Sequence, residues 1–349
     1  MPLPNELIAF SVALVASFGL TIPVRQLALR IGMVDHPGPR KVHRTPIPLL
    51  GGLAIYCAVL LSSVFAWQGN ARAEVLAILA GATLLATVGI LDDRGLLHHQ
   101  LKLFVGMPAA ALVLVASGIR VHVFSTLVPG AWGIMLDGGL TVFWVVGVTA
   151  AFSILDHMDG LCAGVAAVAA ACFTLLALLS GQVLVSTLAA GVLGASLGFL
   201  RWNFSPAKIF MGDGGAMFLG FMLATLGIKL RYPAPAFAVS WLVPLLVLGV
   251  PIFDTTLVSI SRSRRGLIPF TSPGKDHVAH RLSNLGLGHR GAVLAMYGLG
   301  IVFGLVAFLL TRVTLAPALA VCGLVAVSVL VAVALLERAP YERQQKKQG

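Results

Sequence analysis

Charge is what this chain has least of. Only 11% of its 349 residues are Asp, Glu, Lys or Arg, where a soluble domain carries roughly a quarter. With 58% hydrophobic residues and a mean hydropathy of +0.96, it could not stay dissolved in water as a monomer, which excludes the soluble class. Cysteine is also scarce. Cys57, Cys162, Cys172 and Cys322 lie in or beside apolar runs and no pair has zinc spacing. A disulfide framework and a zinc module are therefore excluded, and the four read as small packing residues. Missing too are the ten-residue alternating segments of a barrel, any internal repeat, and the paired broken helices of transporters.

What remains is a series of long continuous apolar runs. A spanning helix needs roughly 20 such residues, and spans are expected near 6–25, 49–67, 74–91, 101–118, 139–155, 161–180, 183–200, 214–230, 236–260, 291–311 and 315–336. The predicted class is an all-α polytopic membrane protein with about eleven transmembrane helices. The first run lacks a small-residue cleavage site and is expected to be retained. Residues 1–336 form one expected membrane domain and 337–349 (ERAPYERQQKKQG) a solvated basic tail. Short β-prone pieces within 119–138 (IRVHVF, WGIML) suggest a small hairpin on the outer side.

The net charge of +11 is unevenly spread. Assigning alternate loops to two sides puts Arg25, Arg30, Arg40, Lys41, Arg44, Arg94, Lys102, Arg201, Lys208, Arg262, Arg264, Arg265, Lys275, Arg281, Arg290 and the basic residues of the tail on one side. Only Arg72, Arg120, Lys229, Arg231 and Arg312 fall on the other. Cytoplasmic loops are the basic ones, so the N-terminus is expected outside and the tail in the cytoplasm. The basic surplus thus marks membrane topology, and nucleic acid is not an expected partner. The same assignment brings every acidic cluster that ends an apolar run to the cytoplasmic side.

Those clusters carry the chemistry. Asp92 and Asp93 close the run ATLLATVGILDDR. Adjacent carboxylates repel, and their full ionisation needs a divalent cation or a basic group such as Arg94 or Lys102. Asp156 and Asp159, in SILDHMDGLCAG, share a face if the helix persists there. In NFSPAKIFMGDGG, Asn203 can donate and accept, and Asp213 with its glycines opens the next apolar run. A Gly-rich helix start has N–H groups suited to phosphate, and an Asp there suits Mg²⁺. Each cluster also admits a plain reading: helix-end solvation for the first two, an N-cap for Asp213. His277 and His280 in DHVAHRL follow Arg262, Arg264, Arg265 and Lys275. Phosphate binding explains that company better than zinc, since no third ligand is near. Asp254 lies inside PLLVLGVPIFDTTLVSISR, where a carboxylate needs a partner, structural or catalytic.

In these strings the chain resembles the polyprenyl-phosphate N-acetylhexosamine-1-phosphate transferases, which include phospho-MurNAc-pentapeptide translocase and the WecA-type GlcNAc-1-phosphate transferases. The resemblance covers about residues 35–290. It rests on RKVHRTPIPLLGG (40–52), LDDR (91–94) with Lys102, LDHMDGL (155–161), NFSPAKIFMGDGG (203–215), PIFDT (251–255) and DHVAHRL (276–282). The HRL ending points to the WecA-type branch. The chain departs from the family where Ser153 stands for a usual Asn, His157 for Gly or Asn, Ala279 for a further His, and Leu49 for a frequent Arg.

The resemblance implies transfer of an N-acetylhexosamine-1-phosphate, GlcNAc-1-phosphate first among them, from a UDP-sugar to polyprenyl phosphate, with release of UMP. It implies Mg²⁺ (or Mn²⁺) at Asp213, and Asp92 as the group that deprotonates or orients the lipid phosphate. Asp93 and Lys102 support that end, while Asp156 and Asp159 organise nucleotide and metal. Ser153 and Asn203 join the substrate contacts, and His277, His280 and Arg265 hold the pyrophosphate. The expected setting is the inner face of a bacterial cytoplasmic membrane, with a homodimer admitted. A MurNAc-pentapeptide substrate, or a lipid or solute transporter, stands as the alternative. A transporter would keep its charges near the bilayer midplane and on both sides.

Overall fold

The computed structural model describes residues 4–37, 45–67, 72–231, 241–268 and 274–341, which fall into two units, Met1–Arg231 and Tyr232–Gly349. Residues 40–44 of the first motif and 342–349 of the tail lie outside the described residues. The first unit runs α1 (Asn5–Arg30), a two-residue antiparallel pair β1 (Val34–Asp35) and β2 (Ile47–Pro48), α2 (Gly51–Ser62) and α3 (Arg72–Asp93). A π-helical turn, Lys102–Gly106, leads into α4 (Met107–Ala116). There follow α5 (Phe124–Leu127), α6 (Ala131–Leu155), α7 (Leu161–Leu179), α8 (Val183–Asn203) and α9 (Gly212–Lys229). The second unit holds α10 (Leu242–Val247), α11 (Gly249–Arg264), α12 (Val278–Leu282), a π-helical turn Ser283–Leu287, α13 (Gly288–Leu310) and α14 (Leu315–Leu336).

Seven helical stretches among the described residues are long and apolar enough to cross a membrane: α1, α3, α6, α7, α8, α14 and Val278–Leu310, the last kinked at Gly286. Shorter apolar helices cover Gly51–Ala66 and Lys102–Ala116. The chain is thus an all-α, multi-pass membrane protein.

Lipid tails are as apolar as Leu, so helices in a bilayer associate through close packing. In α1, Ala9, Ala13, Ser17 and Thr21 are buried at four-residue intervals. Facing them, Gly194 and Gly198 of α8 lie so close that an added Cβ would strike the α1 backbone at Phe10 and Leu14. α9 is the hub. Every residue from Gly214 to Ile228 is buried, against α3, α6 and α2, which is why its sequence is apolar all round.

Residues 119–138 do not form the hairpin expected there. No strand occurs there; Phe124–Leu127 is a helical turn and α6 begins at Ala131 rather than near 139. The donors a hairpin needs are already engaged. Asp137, buried in α6, accepts the N–H groups of Val123, Phe124 and Ser125 at 2.9, 2.7 and 3.1 Å. Thr141 Oγ1 accepts that of Val121 at 2.9 Å. The run expected at 236–260 is also divided. Residues 236–240 lie outside the described residues, and α10 gives way to α11 at Leu248, where Gly249 and Pro251 weaken helical continuity.

Candidate active site

Four elements of the first unit end at one place. Asp92 and Asp93 finish α3, Lys102 opens the π-helical turn before α4, Ser153 lies in the last turn of α6, and Asp213 is in the first turn of α9. The Lys102 ammonium donates to Asp92 Oδ2 at 2.7 Å and to Asp213 Oδ2. Ser153 Oγ donates to the other Asp213 oxygen, Oδ1. Lys102, Asp92 and Asp213 keep only 17%, 14% and 21% of their side-chain surface exposed, so water screens their charges weakly. The local π turn belongs to this arrangement: π turns inside helices recur at functional sites, and here the turn starts at the residue that bridges two carboxylates.

Asp93 has a different task from its neighbour. Its two oxygens accept the N–H groups of Asp213 (2.9 Å) and Gly214 (3.1 Å). It therefore caps the start of α9 from another helix and engages donors that the sequence reading reserved for phosphate. Gly212 makes this possible. Its φ is +74°, and a Cβ there would strike the Asp93 carboxylate. The two following glycines also serve packing: a Cβ on Gly52 would meet the Gly215 backbone, and one on Gly89 the Gly214 backbone.

Asp156 completes the group. It is the C-cap of α6, and the Gly212 backbone hydrogen-bonds to it. Burial first, then the charges of Asp213, Asp93 and Asp159, push its carboxyl up to about 8, against that hydrogen bond. Asp159 also reaches outward from the cluster, where its Oδ2 accepts the Ala207 N–H at 3.0 Å. Asn203 is 3% exposed, and both ends of its amide are engaged within the chain. Oδ1 accepts the Gly160 N–H and Nδ2 donates to the Ile209 carbonyl, each at 3.0 Å. Together Asp159 and Asn203 tie the 156–160 turn to the 203–209 loop.

Asp92, Asp93, Asp156 and Asp213 against Lys102 leave an excess of three formal negative charges in weakly screened surroundings. Such crowding calls for a cation or for proton uptake. The donors are all carboxylate oxygens, with no sulfur among them, which fits a hard divalent ion of the Mg²⁺ or Mn²⁺ kind.

The second unit carries the basic loop. Asp254, 1% exposed in α11, accepts from His277 Nδ1 at 2.8 Å and from the Val278 N–H at 2.8 Å. It thereby sets the histidine tautomer and caps α12. These two contacts give the buried carboxylate the partner that the sequence required of it. Asp276 takes Arg262 through Nε (3.0 Å) and Nη2 (2.8 Å) and Arg265 through Nη2 (2.5 Å). Burial raises its carboxyl, but those arginines and then His277 bring it down to about 2. The His280 ring lies 6.2 Å from that of His277 and 6.4 Å from that of His289.

Arg281 was not singled out in the sequence, yet among the described residues it is the largest fully buried side chain. It donates from Nε to the Asp276 carbonyl (2.8 Å), from Nη1 to the Leu336 carbonyl (2.6 Å) and from Nη2 to Ser261 Oγ (2.9 Å). An arginine between two histidines and a leucine looks like one more loop cation. Only its three-dimensional surroundings separate it from Arg265.

Comparison with known proteins places the chain in a family. Residues 75–231 match glycosyl transferase family 4. A probable undecaprenyl-phosphate N-acetylglucosaminyl 1-phosphate transferase of Bacillus subtilis is 37% identical over 315 residues, covering 88% of this chain and 86% of that protein. The decaprenyl-phosphate N-acetylglucosaminephosphotransferase of Mycobacterium tuberculosis is 35% identical, with 86% and 80% covered. An undecaprenyl-phosphate alpha-N-acetylglucosaminyl 1-phosphate transferase of Yersinia pestis is 26% identical, with 86% and 83% covered. By these matches and by the cluster its motifs build, the chain belongs to glycosyl transferase family 4, among the polyprenyl-phosphate N-acetylhexosamine-1-phosphate transferases.

Proposed function

We propose that the protein transfers GlcNAc-1-phosphate from UDP-GlcNAc to a polyprenyl phosphate, at the cytoplasmic face of a bacterial inner membrane. The observation that carries this reading is the meeting of Asp92, Asp93, Asp156, Asp213 and Lys102 at the ends of α3, α4, α6 and α9. The names of the bacterial relatives favour GlcNAc over a MurNAc-pentapeptide. The basic bias of the loops favours the cytoplasmic side. A transporter is disfavoured, because these carboxylates gather at helix ends rather than along a path across the bilayer.

In the reaction an oxygen of the lipid phosphate attacks the phosphorus that bears the sugar. The bond from that phosphorus to the bridging oxygen breaks, and the bridging oxygen leaves with UMP. Bound Mg²⁺ would neutralise charge on the phosphate oxygens. Asp213 would be its first ligand, held by Ser153 and Lys102, with Asp156 beside it. Asp92 orients the attacking phosphate and accepts any proton it still carries. A lipid phosphate is largely ionised near neutral pH, so positioning and charge neutralisation supply most of the rate. Asp93 acts by holding the start of α9, and Asp159 and Asn203 by holding the adjoining loop. Arg265, His277 and His280 bind the pyrophosphate of the sugar nucleotide.

Purified full-length protein given UDP-GlcNAc, polyprenyl phosphate and Mg²⁺ should release UMP and form the lipid diphosphate sugar. No UMP with any UDP-N-acetylhexosamine under these conditions would overturn the reading.

A further inference from the structure

The sequence reads residues 337–341 as the start of a solvated tail, but within them Glu337 and Tyr341 are only partly exposed and make contacts inside the second unit. Glu337 lies 2.8 Å from Arg281 Nη2 and 3.9 Å from Arg264 Nη1. The Tyr341 ring is covered by two guanidiniums, Arg281 at 4.0 Å and Arg265 at 5.3 Å from its centroid. Its hydroxyl is 3.4 Å from Ser261 Oγ, and Asn284 Nδ2 donates to the Pro340 carbonyl at 3.1 Å. The Leu336 carbonyl, at the end of α14, takes Arg281 Nη1.

We infer that the cytoplasmic end of α14, Leu336–Tyr341, is a brace that positions the 276–280 loop for the sugar nucleotide, with Arg281, Glu337 and Tyr341 as positioning residues. Arg281 is 0% exposed and cannot reach a substrate. It holds the backbone of Asp276 from one side. The Asp276 side chain holds Arg262 and Arg265 from the other, and Asp254 fixes the next residue, His277. Tyr341 closes the stack by lying against both Arg281 and Arg265, so the end of the last helix reaches one of the groups assigned to pyrophosphate. A planar guanidinium on an aromatic face loses little freedom on binding an anion at its edge.

The inference rests on the assignment of the His277 loop to the nucleotide, and the test separates the two. Full-length Tyr341→Ala, Tyr341→Phe, Glu337→Gln and His277→Ala proteins are compared in lipid nanodiscs. KM for each substrate, kcat and equilibrium binding of UDP-GlcNAc are measured. Tyr341→Ala should raise KM and Kd for UDP-GlcNAc about tenfold, with kcat within about twofold and KM for the lipid phosphate unchanged. Tyr341→Phe should keep both near the parent values, because the ring covers the two guanidiniums and the hydroxyl adds only a long 3.4 Å hydrogen bond with Ser261. A merely stabilising tail would instead lower kcat with the fraction folded and leave both KM values alone. That result, or an unchanged Kd in Tyr341→Ala while His277→Ala weakens binding, overturns the brace and spares the loop assignment. Unchanged binding in His277→Ala overturns both. If Tyr341→Ala does not fold, Glu337→Gln carries the same test, with a rise in nucleotide KM supporting the brace and its absence refuting it.

Discussion

Replacing Asp213 by Asn is the perturbation on which the proposed metal site depends most. At a centre-to-centre distance of about 4 Å and an effective dielectric of about 20, one pair of unit charges interacts by about 4 kcal/mol. A dication facing the Asp213 carboxylate therefore gains about 8 kcal/mol from it. The substitution also removes the attraction to Lys102 and the repulsion from Asp156 and Asp93. Lys102 retains Asp92 at 2.7 Å, so these terms largely cancel in the metal-free protein. Neutral Asn still offers the ion a carbonyl oxygen, which returns about half of the direct gain. The loss is then about 4 kcal/mol, or about three decades in turnover. The assay is UMP release at saturating substrates across a Mg²⁺ titration, beside thermal unfolding in detergent. The variant should melt within a few degrees of the parent without metal, and Mg²⁺ should stabilise the parent alone. Activity within threefold of the parent, with the same Mg²⁺ dependence, would refute the assignment.

Other expectations concern the scaffold around the two loops. Ser153→Ala removes one hydrogen bond to the Asp213 carboxylate and should raise the Mg²⁺ concentration for half-maximal activity about tenfold. Gly212→Ala would force a side chain into φ +74° and against Asp93. It should cost about 1–3 kcal/mol of stability, read from denaturant or thermal midpoints. Asp276→Asn breaks a buried pair with Arg262 and Arg265 and should destabilise the second unit by about 3–5 kcal/mol. In the parent, Asp276 has its carboxyl depressed from 3.8 to about 2. Its contribution is therefore present above about pH 4 and is lost as pH falls through about 2; acid unfolding followed in parent and variant should differ over that window.

Much of the site was legible from residue types. Asp92, Asp156 and Asp213 each stand where an apolar run ends. Such positions lie at a membrane surface, and helices that alternate direction can bring them to the same side. The sequence offered Arg94, Lys102 or a bound cation as the counter-charge for Asp92 and Asp93, and the structure joins Lys102 to Asp92 and to Asp213. Neighbours in sequence proved harder to tell apart. Asp92 and Asp93 differ only in which way the end of α3 turns them, yet one pairs with Lys102 and the other caps α9. The glycines after Asp213 looked like a phosphate cradle and serve helix contacts instead, because a missing Cβ suits both uses. The β-prone string at 119–124 failed for a similar reason. Local propensity for strand was overridden by Asp137, whose carboxylate claims the backbone donors from within the next helix.

Composition and run length alone determined the solvent of this protein, its helical class and the ends at which its charges collect. The cost of exposing backbone and charge to hydrocarbon depends on how many apolar residues follow one another, not on where they fold. Tertiary structure alone decided which carboxylates face each other, which asparagine and arginine are walled in, and that the last helix returns to the histidine loop. Many of those contacts join residues far apart in sequence, 43 positions for Asn203 with Gly160, 55 for Arg281 with Leu336 and 111 for Lys102 with Asp213, and their geometry depends on how closely small residues let the helices approach.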